Sequence, residues 1–184
     1  QPIHYNLQND SATNKLIELN PRVGKILSTR LHELKTISKI QPGQIFPTIT
    51  GISTNGKTTT VKFNTPYIII DFWATWCIPC IKQMPELELL ANQTKGQITF
   101  ISISVDKQRD YDKWKAIAEI PSNIIHLWLP NAENFREQYG ITGLPHMVLL
   151  DSNGKVLDSD FPHISNPLAT LWIKNMNKKK PIEL

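Results

Sequence analysis

Cys77 and Cys80 are the two cysteines of this 184-residue chain, and they lie three positions apart directly after an apolar run at residues 66–73. Such a run predicts a buried strand, which places the cysteines at the start of a helix. Side chains three positions apart share a helix face, so the two sulfur atoms can bond. The free N–H groups and the dipole at a helix N-terminus favour thiolate at Cys77, and Pro79 is tolerated in a first turn. We therefore expect an exposed, reactive Cys77 and a more buried partner, Cys80.

Zinc binding and a purely structural disulfide are the alternatives to redox chemistry. A zinc site would need two further ligands, but the sequence has no second Cys-x-x-Cys and no His-x-x-x-His pair, and His146 offers one ligand at most. A disulfide that encloses two residues constrains the unfolded chain little, which disfavours a purely structural bridge. Redox catalysis by the two cysteines, with no metal and no cofactor, is the favoured interpretation.

A carboxylate, Asp71, interrupts the apolar strand that leads to the cysteines. Burial disfavours the charged form of a carboxyl group, so we expect the pKa of Asp71 to be raised. An ion pair with a lysine is the structural alternative, because buried charges are often paired. The functional interpretation is that Asp71 lies under the helix of Cys80 and takes its proton through water, a role that Gln83 cannot fill.

Alternating apolar strands and helical segments predict an α/β sandwich with a mixed sheet. Strands are expected at residues 45–53, 58–63, 66–73, 98–105, 124–129, 146–150 and 155–158. Helices are expected at residues 77–95, with a kink at Pro85, and at residues 110–119, 132–139 and 166–177. The Gln41-Pro42-Gly43-Gln44 segment breaks the pattern and divides an N-terminal extension, residues 1–40, from the main domain, residues 41–184.

The extension at residues 1–40 is predicted to be helical. Asn20-Pro21 is a helix start signal, and six apolar residues then recur at helical spacing, namely Val23, Ile26, Leu27, Leu31, Leu34 and Ile37. This apolar face either covers the main domain or binds a partner.

The composition indicates a folded protein, with 40% hydrophobic and 20% charged residues and a net charge of +4. Lys178-Lys179-Lys180 is interpreted as a solvated terminus rather than as a contact for nucleic acid or an anionic membrane. No apolar stretch reaches the length of about 18 residues that a membrane span needs. The chain begins at Gln1 rather than at methionine, so the absence of a visible signal peptide does not argue against export.

Three motifs carry a family resemblance: DFWATWCIPC at residues 71–80, Gly143-Leu144-Pro145, and VLLDSNGK at residues 148–155. Together they resemble the thioredoxin superfamily, and more narrowly the TlpA/ResA-type extracytoplasmic thiol-disulfide oxidoreductases. The resemblance extends over roughly residues 41–178 and implies a thioredoxin-like sandwich, with a central mixed β-sheet flanked by helices.

The resemblance also implies roles for individual residues. Pro145 is expected to be a cis-proline facing the cysteines, so that a substrate peptide can pair beside Leu144. Trp76 is expected to pack beside the cysteine pair and shield it. The whole predicted substrate-binding set comprises Trp76, Ile78, Pro79, Leu144, Pro145 and His146. His146 stands where a threonine is common, and the alternative to a role in the site is a histidine with no catalytic part.

By the same resemblance, Cys77 attacks a substrate disulfide and Cys80 resolves the mixed disulfide. The expected partners are protein thiols and disulfides and an upstream electron donor, either bound to a membrane or not, with no nucleic acid. The expected location is the periplasm or another extracytoplasmic space of a bacterium, with any membrane anchor in a segment outside this chain. A net oxidant or isomerase stays open, as does a binding module that acts through its N-terminal helices. A peroxidase is disfavoured, because Ile70 stands where the Pro-x-x-x-Thr-x-x-Cys arrangement of that class has its proline.

Two further positions depart from the family pattern. Gln83 stands three residues after the second cysteine, where TlpA/ResA-type proteins often have a glutamate. Asp71 occupies a strand position at which many of those proteins lack a carboxylate, and in this respect the chain is similar to thioredoxin itself.

Overall fold

The computed structural model of the protein describes residues 40–176. Within this range seven strands form: β1 Thr50–Ser53, β2 Thr58–Thr60, β3 Tyr67–Trp73, β4 Ile98–Ser104, β5 Ile125–Trp128, β6 His146–Asp151 and β7 Val156–Phe161. The α-helices of this range are α1 Ile78–Gln93, α2 Tyr111–Ala118, α3 Ala132–Tyr139 and α4 Pro167–Met176. The predicted helical extension and the lysine run at residues 178–180 lie outside the described residues.

The seven strands make one mixed sheet in the order β2-β1-β5-β4-β3-β6-β7. Strands β3, β4 and β5 run parallel, and β6, β7, β1 and β2 join them with antiparallel pairings. One buried cluster packs α1 and α4 against the sheet, and another contains residues of α2 and α3. The predicted α/β sandwich with a central mixed sheet is therefore confirmed.

Strand β3 is an interior strand of this sheet. It pairs with β4 on one side and β6 on the other, and Ile68, Ile69 and Ile70 are each completely buried. A strand covered by helices on both faces reads as a continuous apolar run, which is the pattern of these residues. Its last residues lead directly into the cysteine motif, so a fully paired, buried strand positions the cysteines.

The first predicted strand is wrong in its N-terminal half. Ile45 makes an isolated bridge with Lys155, and the N–H of Phe46 donates to the carbonyl of Gly154 at 2.8 Å. Residues 44–46 are thus held beside the turn that begins β7, and the strand proper starts only at Thr50. The other predicted elements form with bounds shifted by a few residues, and α1 continues through Pro85 to Gln93.

No helix within residues 40–176 is long and apolar enough to span a membrane.

Candidate active site

The two cysteines form a disulfide at the N-terminus of α1. Their sulfur atoms are 2.02 Å apart and their Cα atoms 5.3 Å apart. Cys77 is the N-cap residue, with an extended backbone conformation, and its Sγ accepts a hydrogen bond from the N–H of Cys80 at 3.3 Å. The same N–H donor and the helix dipole would stabilise negative charge on that sulfur once the disulfide is reduced.

The disulfide is less exposed than expected. Cys77 has 5% of its surface exposed and Cys80 none, so the prediction of an exposed Cys77 is wrong for this oxidised state, although Cys77 is the more accessible of the two. The physical reason is the bond itself, which holds Cys77 against its fully buried partner. Trp76 and Ile78, the neighbours of Cys77 in the sequence, are 59% and 68% exposed, so two large apolar side chains on either side of this cysteine lie at the surface.

Asp71 lies in the middle of β3, with 2% of its surface exposed. Its Oδ1 accepts a hydrogen bond at 3.3 Å from the side-chain amide of Gln83, which is one turn after Cys80 on the buried face of α1. Asp71 therefore lies beneath the first turns of that helix. Its Oδ2 is buried and has no hydrogen-bond partner among residues 40–176.

The environment of Asp71 favours its neutral form. Burial raises the pKa of Asp71 from 3.8 to about 7, and the hydrogen bond from Gln83 opposes that rise. No salt bridge within the described part of the chain involves Asp71, so the alternative of a lysine ion pair finds no support there. A carboxyl group with a pKa near neutrality can both accept and return a proton under physiological conditions.

The Leu144–Pro145 peptide bond is cis, the geometry that the Gly-Leu-Pro motif implied. Pro145 is buried and Leu144 is half-buried, directly before β6 begins at His146. His146 pairs in register with Phe72, two residues from the loop that carries the cysteines. The structure thus brings the two motifs to the same end of neighbouring strands.

His146 is partly shielded at this end of the sheet. Burial lowers its pKa, and the charge of Asp160, whose Oδ1 lies 3.8 Å from the imidazole Nδ1, opposes that effect. A neutral imidazole at neutral pH follows, and it can donate or accept a hydrogen bond. Pro79 is exposed at the surface of the first turn of α1.

Asp106 is a site residue that the sequence analysis missed. It follows the buried β4, is 2% exposed, and its carboxylate accepts hydrogen bonds from the N–H and hydroxyl of Thr75 and from the hydroxyl of Ser104. Its carbonyl accepts a further bond at 2.7 Å from the indole N–H of Trp128. These contacts hold the loop that ends in Cys77. The one signal in the sequence was a carboxylate directly after an apolar strand.

Among residues 40–176, no group of three or more histidine, cysteine or acidic side chains is arranged to hold a metal ion. The site consists instead of a disulfide at a helix N-terminus, a buried carboxyl group under the same helix, and a cis-proline loop beside them.

Comparison with known proteins places this arrangement in a family. The sequence family described as thioredoxin-like matches residues 65–156, which include the cysteine pair and the cis-proline. The chain belongs to the thioredoxin-like family. The resemblance and the fold class that the sequence predicted are thereby confirmed.

Relatives that align with most of the described domain carry related names. The chain is 27% identical over 130 residues to the thiol-disulfide oxidoreductase ResA of Bacillus thuringiensis, covering 65% of this chain and 69% of that protein. The thioredoxin domain of a thiol-disulfide oxidoreductase from Bacteroides vulgatus superposes with a TM-score of 0.60 at 27% identity, over 74% of this chain and 98% of that one. A thiol:disulfide interchange protein from a Bacteroides species gives a TM-score of 0.62 at 27% identity, over 78% and 95%.

Other matches are shorter. The chain spans 13%, 61% and 43% of the lengths of three curated thioredoxin relatives, the first of which is a bifunctional thioredoxin reductase/thioredoxin.

Proposed function

We propose that this protein is a thiol-disulfide oxidoreductase that reduces disulfide bonds of other proteins through a cycle of Cys77 and Cys80. One observation carries the proposal: the disulfide begins a helix whose next buried turn contacts a carboxyl group with an unpaired oxygen. The names of the relatives support the same class of chemistry.

The first step is attack by the reduced Cys77. Its thiolate displaces one sulfur of the substrate disulfide, forming a mixed disulfide and releasing a substrate thiolate. The N–H of Cys80, which donates to Cys77 Sγ, and the other free N–H groups of the first turn of α1 stabilise the attacking charge. Cys77 is the more accessible of the two cysteines, which supports its role as the attacking thiol.

The second step is resolution by Cys80. Its thiol gives a proton to Asp71, the resulting thiolate attacks Cys77 Sγ, and the second substrate thiolate leaves. Two electrons have then passed to the substrate, and the Cys77–Cys80 disulfide has formed. The raised pKa of Asp71, about 7, makes the carboxyl group basic enough to take the proton and acidic enough to release it.

The substrate is proposed to be an extended peptide segment bound beside the cis-proline. Residues 143–145 precede β6 and lie outside its pairing with β3, so their backbone groups are not part of the sheet. An extended peptide can pair with such a free backbone edge. The exposed Trp76 and Ile78 offer apolar contacts on the other side of the disulfide, with Pro79 at the same surface.

The reductive direction, the location and the electron donor belong to the same proposal. We place the protein in an extracytoplasmic space, where protein disulfides form and a dedicated reductant has substrates. An upstream dithiol donor must then return two electrons to the Cys77–Cys80 disulfide after each turnover. A net oxidant or isomerase would use the same two cysteines, because direction is set by reduction potential and partner.

The test combines trapping with a potential measurement. With an insulin substrate, Cys77→Ser is expected to be inactive, whereas Cys80→Ser is expected to accumulate a mixed disulfide through Cys77. The reduction potential of the wild type is expected nearer that of thioredoxin, about −270 mV, than that of protein disulfide isomerase, about −180 mV. Turnover by Cys77→Ser would contradict the mechanism, and a potential above about −180 mV would contradict the reductive direction.

A further inference from the structure

Three polar residues form a row across the centre of the sheet. Asp71 on β3 is in register with Ser102 on β4, and Ser102 is in register with His126 on β5. Residues in register on neighbouring parallel strands project on the same face of a sheet, and here Gln83 of α1 contacts that face. The row begins at the carboxyl group under Cys80 and crosses two strands, a distance of about 10 Å at the usual strand spacing.

Each member of the row has a buried atom that no described residue satisfies. Asp71 Oδ2, Ser102 Oγ and His126 Nδ1 are all shielded from solvent and have no hydrogen-bond partner among residues 40–176. Most buried polar atoms in native proteins are paired with protein groups or ordered water, so three unsatisfied atoms in one row call for an explanation. Water molecules between neighbouring side chains of the row would satisfy all three.

The far end of the row approaches the surface. His126 is half-buried, and burial lowers its pKa while the charge of Glu88 opposes that effect. Glu88 is itself held beside β5 by hydrogen bonds from the hydroxyl of Ser122 and the N–H of Asn123. A neutral imidazole has one protonated and one unprotonated nitrogen, so it can accept a proton on one side and release one on the other.

We propose that Ser102 and His126, linked by water, pass protons between Asp71 and the solvent beside Glu88. The inference rests on the proposed function, in which Asp71 accepts the proton of Cys80. The hydroxyl and the imidazole each receive one proton and give up another, so both keep their net charge, and no electrons move. The imidazole is left as its other tautomer, and the reverse transfer, which returns a proton to Asp71 when the Cys77–Cys80 disulfide is reduced again, restores it. Gln83 is the polar side chain that contacts Asp71 from α1, and Glu88 is the charged group acting on His126. Ser102 and His126 act through Asp71 and do not touch the cysteines in this scheme.

The test compares Ser102→Thr with Ser102→Val. Threonine and valine have nearly the same shape, so a difference between these variants reports the hydroxyl group rather than packing. The measured quantity is the single-turnover rate at which Cys80 resolves a preformed mixed disulfide, as a function of pH and in deuterated water. We expect Ser102→Val to be slower than Ser102→Thr by about tenfold, part of the roughly 100-fold or larger contribution of a positioned base. The slow variant should also show the larger solvent isotope effect.

A second comparison separates this inference from the function on which it rests. In an Asp71→Asn background, the difference between the two Ser102 variants is expected to vanish, because asparagine cannot accept the proton of Cys80. The proton relay formed by Ser102 and His126 then has no proton to carry. If Asp71→Asn slows resolution while the Ser102 variants resolve equally fast, the relay is refuted and the proposed function is kept. If Asp71→Asn resolves as fast as the wild type, the assigned base and the relay both fail. His126→Leu should repeat the Ser102→Val result and recover with added imidazole buffer, and no recovery would count against the relay.

Discussion

Replacing Asp71 with asparagine should make the stability of the oxidised protein less dependent on pH. Asp71 is 2% exposed, and burial raises its pKa from 3.8 to about 7. In the folded state it therefore holds its proton over a pH range in which the unfolded chain has lost it. Below the pKa of Asp71 in the unfolded chain, the folded and unfolded states are both protonated, and ionisation of Asp71 does not lower the stability of the fold. As the pH rises from that value to the folded one, stability falls, and above it the loss is complete.

The size of the effect follows from the two pKa values. A difference of about three pH units corresponds to roughly 4 kcal/mol of lost stability once both states are ionised. Between about pH 5 and about pH 8, the wild type should lose roughly 2.5 kcal/mol through this residue alone. Asparagine cannot ionise, so the variant should lack that part of the pH dependence.

The free energy of unfolding that Asp71→Asn gains will be smaller than the roughly 4 kcal/mol that ionisation of Asp71 costs the wild type. Asparagine keeps the oxygen that accepts from Gln83, but it places N–H donors where Asp71 Oδ2 has no partner among the described residues. An unsatisfied buried donor costs about 1–3 kcal/mol. The change of stability with pH is therefore the sharper measurement, and near pH 7 the variant is still expected to be the more stable protein.

Denaturant unfolding of the oxidised protein at a series of pH values measures this directly. Glu86→Gln, which removes an exposed carboxylate from α1, the helix that packs over Asp71, is the matched control and should keep the wild-type pH dependence. The reasoning is refuted if wild type and Asp71→Asn lose stability in parallel between about pH 5 and about pH 8. A wild type that gains stability relative to the variant as pH rises would mean that Asp71 is an ion-pair partner.

Three further outcomes follow from the site. Limiting alkylation of the reduced protein near neutral pH, mapped by mass spectrometry, should label Cys77 before Cys80, and the reverse order would overturn the assignment of the attacking thiol. Asp106→Ala should lower the free energy of unfolding by about 2–4 kcal/mol, because it leaves the N–H and hydroxyl of Thr75 without their hydrogen-bond acceptor. A decrease under about 0.5 kcal/mol would contradict that role. Trp76→Ala should change that free energy by less than about 0.5 kcal/mol, since the side chain is mostly exposed, yet slow insulin reduction through a raised KM. Unchanged kinetics would remove Trp76 from the substrate surface.

Much of the fold could be predicted from the sequence, because its strongest patterns are local. The apolar run of β3, although Asp71 interrupts it, and the alternation of apolar strands with helical segments predict their elements without reference to distant parts of the chain. The first strand was overextended because residues 44–46 satisfy their backbone groups across the turn at residues 151–155, and such a distant partner leaves no local pattern. Bounds elsewhere shifted for the usual reason that helix and strand ends are set by tertiary contacts.

The residues of the site also differ in whether a local sequence pattern predicts them. Asp71 stood out because a carboxylate among isoleucines breaks a local pattern, and the cis-proline followed from a recognisable motif. Ser102 and His126 could not be associated with Asp71 from the sequence, because the association depends on which strands are neighbours and on their register. An ordinary serine inside a buried strand carries no signal of its own. The spacing of the cysteines predicted that they can bond, but the expected exposure of Cys77 did not take into account that this bond holds the residue against the core.

Asp71 and Asp106 show that depth of burial alone does not identify a functional carboxylate. Both are 2% exposed; Asp71 contacts Gln83 of α1, and Asp106 contacts Thr75 in the loop before Cys77. Asp106 accepts hydrogen bonds from three donor groups of Thr75 and Ser104, which offset the loss of water around its charge. Asp71 accepts one such bond, from Gln83, so its charge is left poorly compensated and its pKa rises. Neutralising the two residues should therefore have opposite effects on the free energy of unfolding above neutral pH. Loss of the Asp106 charge should lower it by weakening three hydrogen bonds, and loss of the Asp71 charge should raise it by removing a poorly compensated buried charge. Under the proposed function, a carboxyl group that destabilises the fold in this way is explained by proton transfer to and from Cys80 rather than by stability.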